Sequence, residues 1–408
     1  MRRAAIIAVL LLGCKAPREA APRPAPAAVD APAVAEEEAP VVAPPRPDAP
    51  AADVRALSQG VDAFAWSLFA TQRAYAGNRV VSPAAVAVTL AMTASLDRGA
   101  AAEQVRATLA PGLDAARLHD AAGALVRAWQ SPLADASGAL AVQRIFVSQG
   151  VRFDDAVNAR LREVYGAPAG VVDTGGPEGA RRRIDGFISA RTRGAIAGIV
   201  PEHAVVADAP AIAASGALLR FVCEGDVSSV RFRVGGLGPT DARSALCRGG
   251  VRSARGDGFT LLRVPSRDER YTLDVVLPDE GARLADFERT FARRSYDAAV
   301  TALQPDASAV NLPALRVAHG SPEGLRGALV SIGLDALFDP DRCDLARPSL
   351  RGGWVSELFH RARFELDAAT ERAPDGETAV RSVDRPFVFV LRDASRAVVL
   401  AIGHVVEP

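Results

Sequence analysis

The 408-residue chain is poor in most of the side chains that carry chemistry: four cysteines, five histidines, two methionines, one lysine (Lys15) and only 5% aromatics. There is no CxxC pair and no cluster of Cys with His, so a metal site lacks ligands and none is expected. HExxH, a GxSxG elbow, GxxxxGK[ST] and a GxGxxG following a strand are all missing. That removes the common signatures of metalloproteases, serine hydrolases and nucleotide- or dinucleotide-binding enzymes, so neither an enzyme nor a cofactor is expected. Acidic and basic residues cancel at 48 each. The near-total use of Arg over Lys reads as the bias of a GC-rich coding sequence. A balanced surface has no field with which to hold nucleic acid. No apolar run reaches the roughly 20 residues that a membrane-crossing helix needs.

The first 14 residues hold a secretory signal. "MRR" is a charged start, and "AAIIAVLLLGC" is an apolar stretch too short to span a bilayer. Its end, Leu11-Leu12-Gly13-Cys14, resembles a bacterial lipobox, in which cleavage before the cysteine leaves Cys14 as the lipid attachment point. The expectation is an exported protein, lipid-anchored to the cell envelope at the outer membrane or cell surface. Residues 15–50 hold 10 of the 28 prolines and the run Glu36-Glu37-Glu38. Such a segment cannot bury enough apolar area to fold and serves as a disordered spacer. Of the remaining cysteines, Cys223, Cys247 and Cys343, one pair can close in an oxidising compartment. Cys223 and Cys247 are nearest in sequence, but spacing alone does not choose the pair.

Residues 51–408 show no break in composition and read as one domain. Its first half is helical in period: Phe64, Leu68 and Phe69 share a face within 61–75, and Pro83 suits the first turn of the next helix. A strand over 139–150 and helices over "FDDAVNARLREVYG" and "PEGARRRIDGFISARTRGAIAGIV" follow, the last ended by Gly194. The second half turns to strands: "GALLRFVCEG", "FTLLRVPS", "YTLDVVLPDE" and "SAVNLPALRVAHG". One intervening helix, "SPEGLRGALVSIGL", has Ser321 as its cap and Gly333 past its end. The chain closes on a hairpin, "RPFVFVLRD" and "AVVLAIGHVVEP". Helices first and mainly antiparallel strands afterwards make this an α+β fold. His119, His203, His319, His360 and His404 are scattered and read singly as structural. Arg181–Arg183 read as a solvated helix face, and "GGLG" (235–238) as a flexible turn.

Seven stretches, in order, resemble the serpin family over nearly all of 55–408. "NRVVSPAAVAVTLAM" is similar to the family's helix entry through Asn78, Ser82 and Pro83, with Ala85 in place of a second Ser. "IDGFISARTRGAIAGIV" matches a T-x-G-x-I ending through Thr192, Gly194 and Ile196. "YTLDVVLPDEG" and "VNLPALRV" are similar to two of its strands, the latter through Leu312 and Pro313. "LVSIGLDALFDPDRCDL" is similar to the L-x-x-L-G-I-x-x-x-F stretch. "VSELFHRARFEL" is similar to the S-x-x-x-H-K-A strand through Ser356, His360 and Ala362. The closing hairpin resembles the family's own. The resemblance implies helices packed on a large, mainly antiparallel sheet, smaller sheets and a C-terminal hairpin.

It also implies a mechanism: a protease attacks an exposed loop, and that loop inserts into the main sheet as a new strand. Ser82 and His360 match positions that hold the sheet's opening point. The family's Asn on the neighbouring strand, and the Trp after it, are not evident in "ASGALLRF". The loop would lie between His360 and Pro386, with Thr370, Glu371, Arg372, Ala373, Asp375, Gly376, Glu377, Thr378 and Arg381 as its candidate residues. Arg372 or Arg381 would be bait for a trypsin-like serine protease. That spacing is roughly ten residues, or ~33 Å of strand, short of the family's usual length. Either alternation of 371–378 also turns charge toward an apolar layer, and Pro374 removes a ladder donor. Two functions follow: a monomeric serine-type endopeptidase inhibitor with impaired or absent trapping, or a non-inhibitory serpin-fold binding or scaffolding lipoprotein.

Overall fold

The fold is that of a computed structural model, which describes residues 49–408 apart from 74–75, 98, 131–135, 152–154, 235–237, 321–323, 344–352 and 371–378. The signal, Cys14, most of the spacer, Ser321 and the loop residues Glu371, Arg372, Ala373, Asp375, Gly376, Glu377 and Thr378 lie outside the described residues.

The first half carries α1 (Ala51–Gln72), β1 (Arg79–Val81), α2 (Pro83–Ala94), α3 (Ala100–Leu109) and α4 (Ala115–Ala128). β2 (Gly138–Ser148), α5 (Asp155–Tyr165), β3 (Gly170–Val172) and α6 (Pro177–Arg191) complete it. α1 begins ten residues before the apolar period of 61–75 suggests, because Leu57 and Ser58 already face the core. The break at 78–83 holds the strand β1, too short to register as a pattern. There the Asn78 carboxamide oxygen accepts the N–H groups of Val406 and Glu407 and ties this turn to the far end of the chain. Ser82 caps α2 through its hydroxyl, with Pro83 at the first helical position. Every residue of α2 is buried, so it is the central helix rather than a surface one.

The second half begins with β4 (Ala211–Arg233), β5 (Pro239–Cys247), β6 (Arg252–Gly256), β7 (Phe259–Pro265) and β8 (Tyr271–Pro278). Two helices that apolar spacing does not announce come next, α7 (Leu284–Thr290) and α8 (Arg293–Thr301). Each is under three turns long, which leaves too few periods to detect. Then follow β9 (Gln304–Pro305), β10 (Ala309–Pro313), β11 (Leu315–Gly320), α9 (Arg326–Ser331), β12 (Val355–Thr370), β13 (Val380–Ser382), β14 (Phe387–Asp393) and β15 (Val398–Val405). The single strand expected over "SAVNLPALRVAHG" is two, divided at Ala314. The Ala314 N–H turns to the Arg243 carbonyl, and β10 and β11 then pair with different neighbours.

One sheet, entirely antiparallel, runs β1-β15-β14-β8-β7-β6-β9. The other is organised by β4, whose 23 residues serve two neighbourhoods. Its first half lies between β2, antiparallel, and β12, parallel. Its second half pairs with β5, beyond which come β10 and β13. The main core lies between the sheets and α1–α4. A second cluster, built by Ala180, Ile184 and Ile188 of α6 on Phe146, Ile212, Ala214 and Phe359, covers the outer face of β2, β4 and β12.

Candidate functional site

β12 shows how one strand serves two faces. Leu358, His360, Ala362, Phe364 and Leu366 point into the main core, while Phe359, Arg361, Arg363 and Glu365 point to the side covered by α6. The strand is joined directly to β4 in parallel register from Val355 opposite Ala211 to Thr370 opposite Asp226. Nothing lies between the two strands along that line.

Midway, the inward row is interrupted by a polar knot. His360 faces Ser215 in the register, and both side chains are buried. The Ser82 backbone N–H donates to His360 Nε2 at 3.1 Å. A backbone N–H can only donate, so Nε2 is unprotonated and the neutral ring carries its proton on Nδ1. That proton is given to Ser215 Oγ at 2.8 Å. Burial, with His319 adding to it, pushes the His360 pKa down to about 3, so the ring is neutral at physiological pH. Ser82 Oγ meanwhile accepts the Ala85 N–H. Helix α2, β4 and β12 thus meet through one imidazole. Ser215→Ala strands the Nδ1 proton in the core and is expected to cost about 2 kcal/mol, read as a lower urea midpoint.

At its far end β12 stops at Thr370, whose side chain is not described, and β13 starts at Val380. Residues 371–379, nine in all, make the connection. Arg381 does not project as bait from a free segment. It sits in β13, paired in parallel with β10, and its Nε donates to Asp306 at 2.7 Å. Cys223 and Cys247 form the disulfide, and Cys343 is buried and takes no part in it. The bond stands where β4 passes from β12 to β5: Cys223 is opposite Ala368, and Cys247 is opposite Gly225. Gly225 there has φ of 158°, and a Cβ would lie 2.0 Å from the Leu246 carbonyl oxygen, so close approach requires glycine.

A family model described as "Serpin (serine protease inhibitor)" matches residues 59–220 and 244–408. The chain is a member of the serpin family. A solved serine protease inhibitor, serpin-12 of Manduca sexta, superposes with a TM-score of 0.70 at 17% identity, over 87% of this chain and 98% of that one. Antithrombin-III of Mus musculus is 22% identical over 67% of this chain and 63% of its own. Probable serpin E3 of Danio rerio is 32% identical over a shorter stretch, 37% of this chain. This serpin thus spans 38% of serpin E3 and 63% of antithrombin-III, under two thirds of either relative.

Two of the serpin-like stretches meet in one local structure. The Thr192 hydroxyl donates to the Ile188 carbonyl and accepts the Ile196 N–H, turning the chain after α6 with Gly194 at φ 78°. Asp185 then accepts the N–H groups of Ile199 and Val200. The turned segment is gripped from the sheet below: Arg361 donates to the carbonyls of Ala197 and Gly198, and Arg363 to that of Ala195. The α6–β4 connection is therefore fastened to the outer face of β12. Ser215 and the two arginines are the site residues that spacing missed. Ser215 was hidden because a search for Asn passes over the small hydroxyl that meets His360. Among the described residues no three or more His, Cys, Asp or Glu gather as a metal would need.

Proposed function

We propose that this serpin presents residues 371–379 to a serine protease as a pseudo-substrate, and that the protease binds or cuts this segment without being trapped. One observation carries the reading. β12 runs for 16 residues along β4, yet only nine residues lead from its end to β13. At ~3.3 Å per residue, that is about 30 Å of new strand for a groove about 53 Å long. Since Arg381 is held by β10 and Asp306, Arg372 is the better bait for a trypsin-like enzyme. Ser82, His360 and Ser215 would hold the closing point between β4 and β12. The partner class is a serine protease, and the protein acts as a monomer, exported and anchored through lipid on Cys14, with residues 15–50 lifting the domain from the membrane.

The composition of the connection favours a second reading, a non-inhibitory binding or scaffolding lipoprotein. Glu371, Arg372, Pro374, Asp375 and Glu377 would bring charges and a missing donor into any inserted strand. One experiment separates the readings: incubation with trypsin-, chymotrypsin- and subtilisin-like proteases. Cleavage within 371–383, no SDS-resistant complex and no gain in melting temperature after the cut are expected. An intact connection after prolonged incubation supports the scaffolding role. A covalent complex would overturn both.

A further inference from the structure

A cavity of about 770 Å³ lies away from β12, between the C-terminal end of α2, the start of α3 and the N-terminal halves of α4 and α5. Its volume is that of a small-molecule site. Leu113, Leu118, Val157 and Ala94 supply apolar wall. His119 reaches the cavity from α4 although only 3% of it is exposed. Its Nδ1 meets the Tyr165 hydroxyl at 2.7 Å. Tyr165 is buried, and burial raises its pKa, so the phenol keeps its proton. Among the described residues that proton has no acceptor but His119 Nδ1. The second ring nitrogen, Nε2, therefore carries the imidazole hydrogen. It has no partner among the described residues, and its ring is part of the cavity lining.

Arg160, on α5, lines the same cavity and acts electrostatically on both His119 and Tyr165. Its guanidinium makes no hydrogen bond or ion pair among the described residues. The acids of the lining are otherwise engaged. Asp97 accepts the N–H groups of Gly99 and Ala102, Asp114 accepts that of Arg117, and Glu103 is held by Arg106. Two unused donors, one charged, thus line one cavity with apolar wall between them, and each of its carboxylates already has a partner.

We propose that this cavity binds a monocarboxylate with an apolar body, its carboxylate taken by the Arg160 guanidinium and His119 Nε2–H. The chemistry is independent of the sheet-insertion reading, since neither β12 nor the 371–379 connection takes part. The test is calorimetric titration of the purified chain with dodecanoate, with dodecan-1-ol and dodecyltrimethylammonium as comparisons. One saturable site is expected for dodecanoate, with the alcohol and the cation each at least tenfold weaker. Arg160→Gln, at an exposed and unpaired position, should weaken dodecanoate at least tenfold with an unchanged melting temperature, as loss of one charge-assisted hydrogen bond does. Ala115→Trp, which fills the chamber from an exposed helix position, should abolish binding. No saturable binding, equal affinity for the three probes, or dodecanoate affinity unchanged in both variants would overturn the proposal.

Discussion

Replacing Cys223 and Cys247 together by alanine is expected to lower stability by about 3 kcal/mol. The bond closes a loop with a sequence separation of 24, and releasing a loop of that length returns roughly this much entropy to the unfolded chain. Two measurements identify the mechanism. The urea midpoint should fall, and the dependence of stability on urea should steepen, because the uncrosslinked chain exposes more surface when unfolded. A midpoint unchanged within error would mean that the Gly225 approach and the β4–β5 ladder already hold the strands as tightly as the bond does. The position gives the effect a local edge. Cys223 is opposite Ala368, two residues before β12 ends, so the bond anchors β4 beside the start of the 371–379 connection. In the double variant, protease cleavage of that connection should be no slower than in the parent.

The sequence made the frame of this site legible where a residue's chemistry fixes its own surroundings. Ser82-Pro83 and Thr192-x-Gly194 are local devices, a side chain satisfying a backbone group a few residues away or a turn needing positive φ, whereas Asn78 is a motif residue whose bonds reach the far end of the chain. Their order sufficed to suggest the fold. His360 was legible as a position but not as a bond. Its partner Ser215 is 145 residues distant, and serine is too common to stand out. Arg361 and Arg363 show the same limit: nothing in their spacing announces the carbonyls they bind, which arrive from the segment after α6. The division of 309–320 into β10 and β11 was hidden because both halves are apolar, and only pairing partners distinguish them. The choice of Cys223 with Cys247 likewise depended on β4 and β5 running side by side. What sequence did expose beyond motifs was a length. The span from His360 to Pro386 needed only counting, and the ends of β12 and β13 leave nine residues of it as connection.

Acid should destabilise the protein, and one carboxyl group should hide half of the effect. Burial lowers the pKa of His360 to about 3 and that of His119, with Arg160 adding to it, to about 4. Unfolded histidine titrates near 6.5. Between these values the unfolded chain binds protons that the folded chain refuses, so stability is lost as pH falls. From pH 7 to 5 each buried imidazole removes about 2 kcal/mol. His319, lowered to about 4 by burial and by Arg79, acts in the same direction, but its partial exposure makes its share smaller. Glu357 opposes them. Burial raises its pKa to about 7, so over the same interval the folded chain takes up a proton that the unfolded carboxylate declines, returning about 2 kcal/mol. Apart from the smaller His319 share, which is the same in both, the parent protein should therefore lose about 2 kcal/mol between pH 7 and 5, and Glu357→Gln about 4 kcal/mol. Glutamine keeps the oxygen that accepts the N–H groups of Arg326 and Leu358, so the substitution removes the titration while preserving the contacts. Urea midpoints at the two pH values decide the matter. Equal losses in parent and variant would show that Glu357 does not titrate here, and a gain in stability toward pH 5 would show that the two histidines are charged in the folded protein.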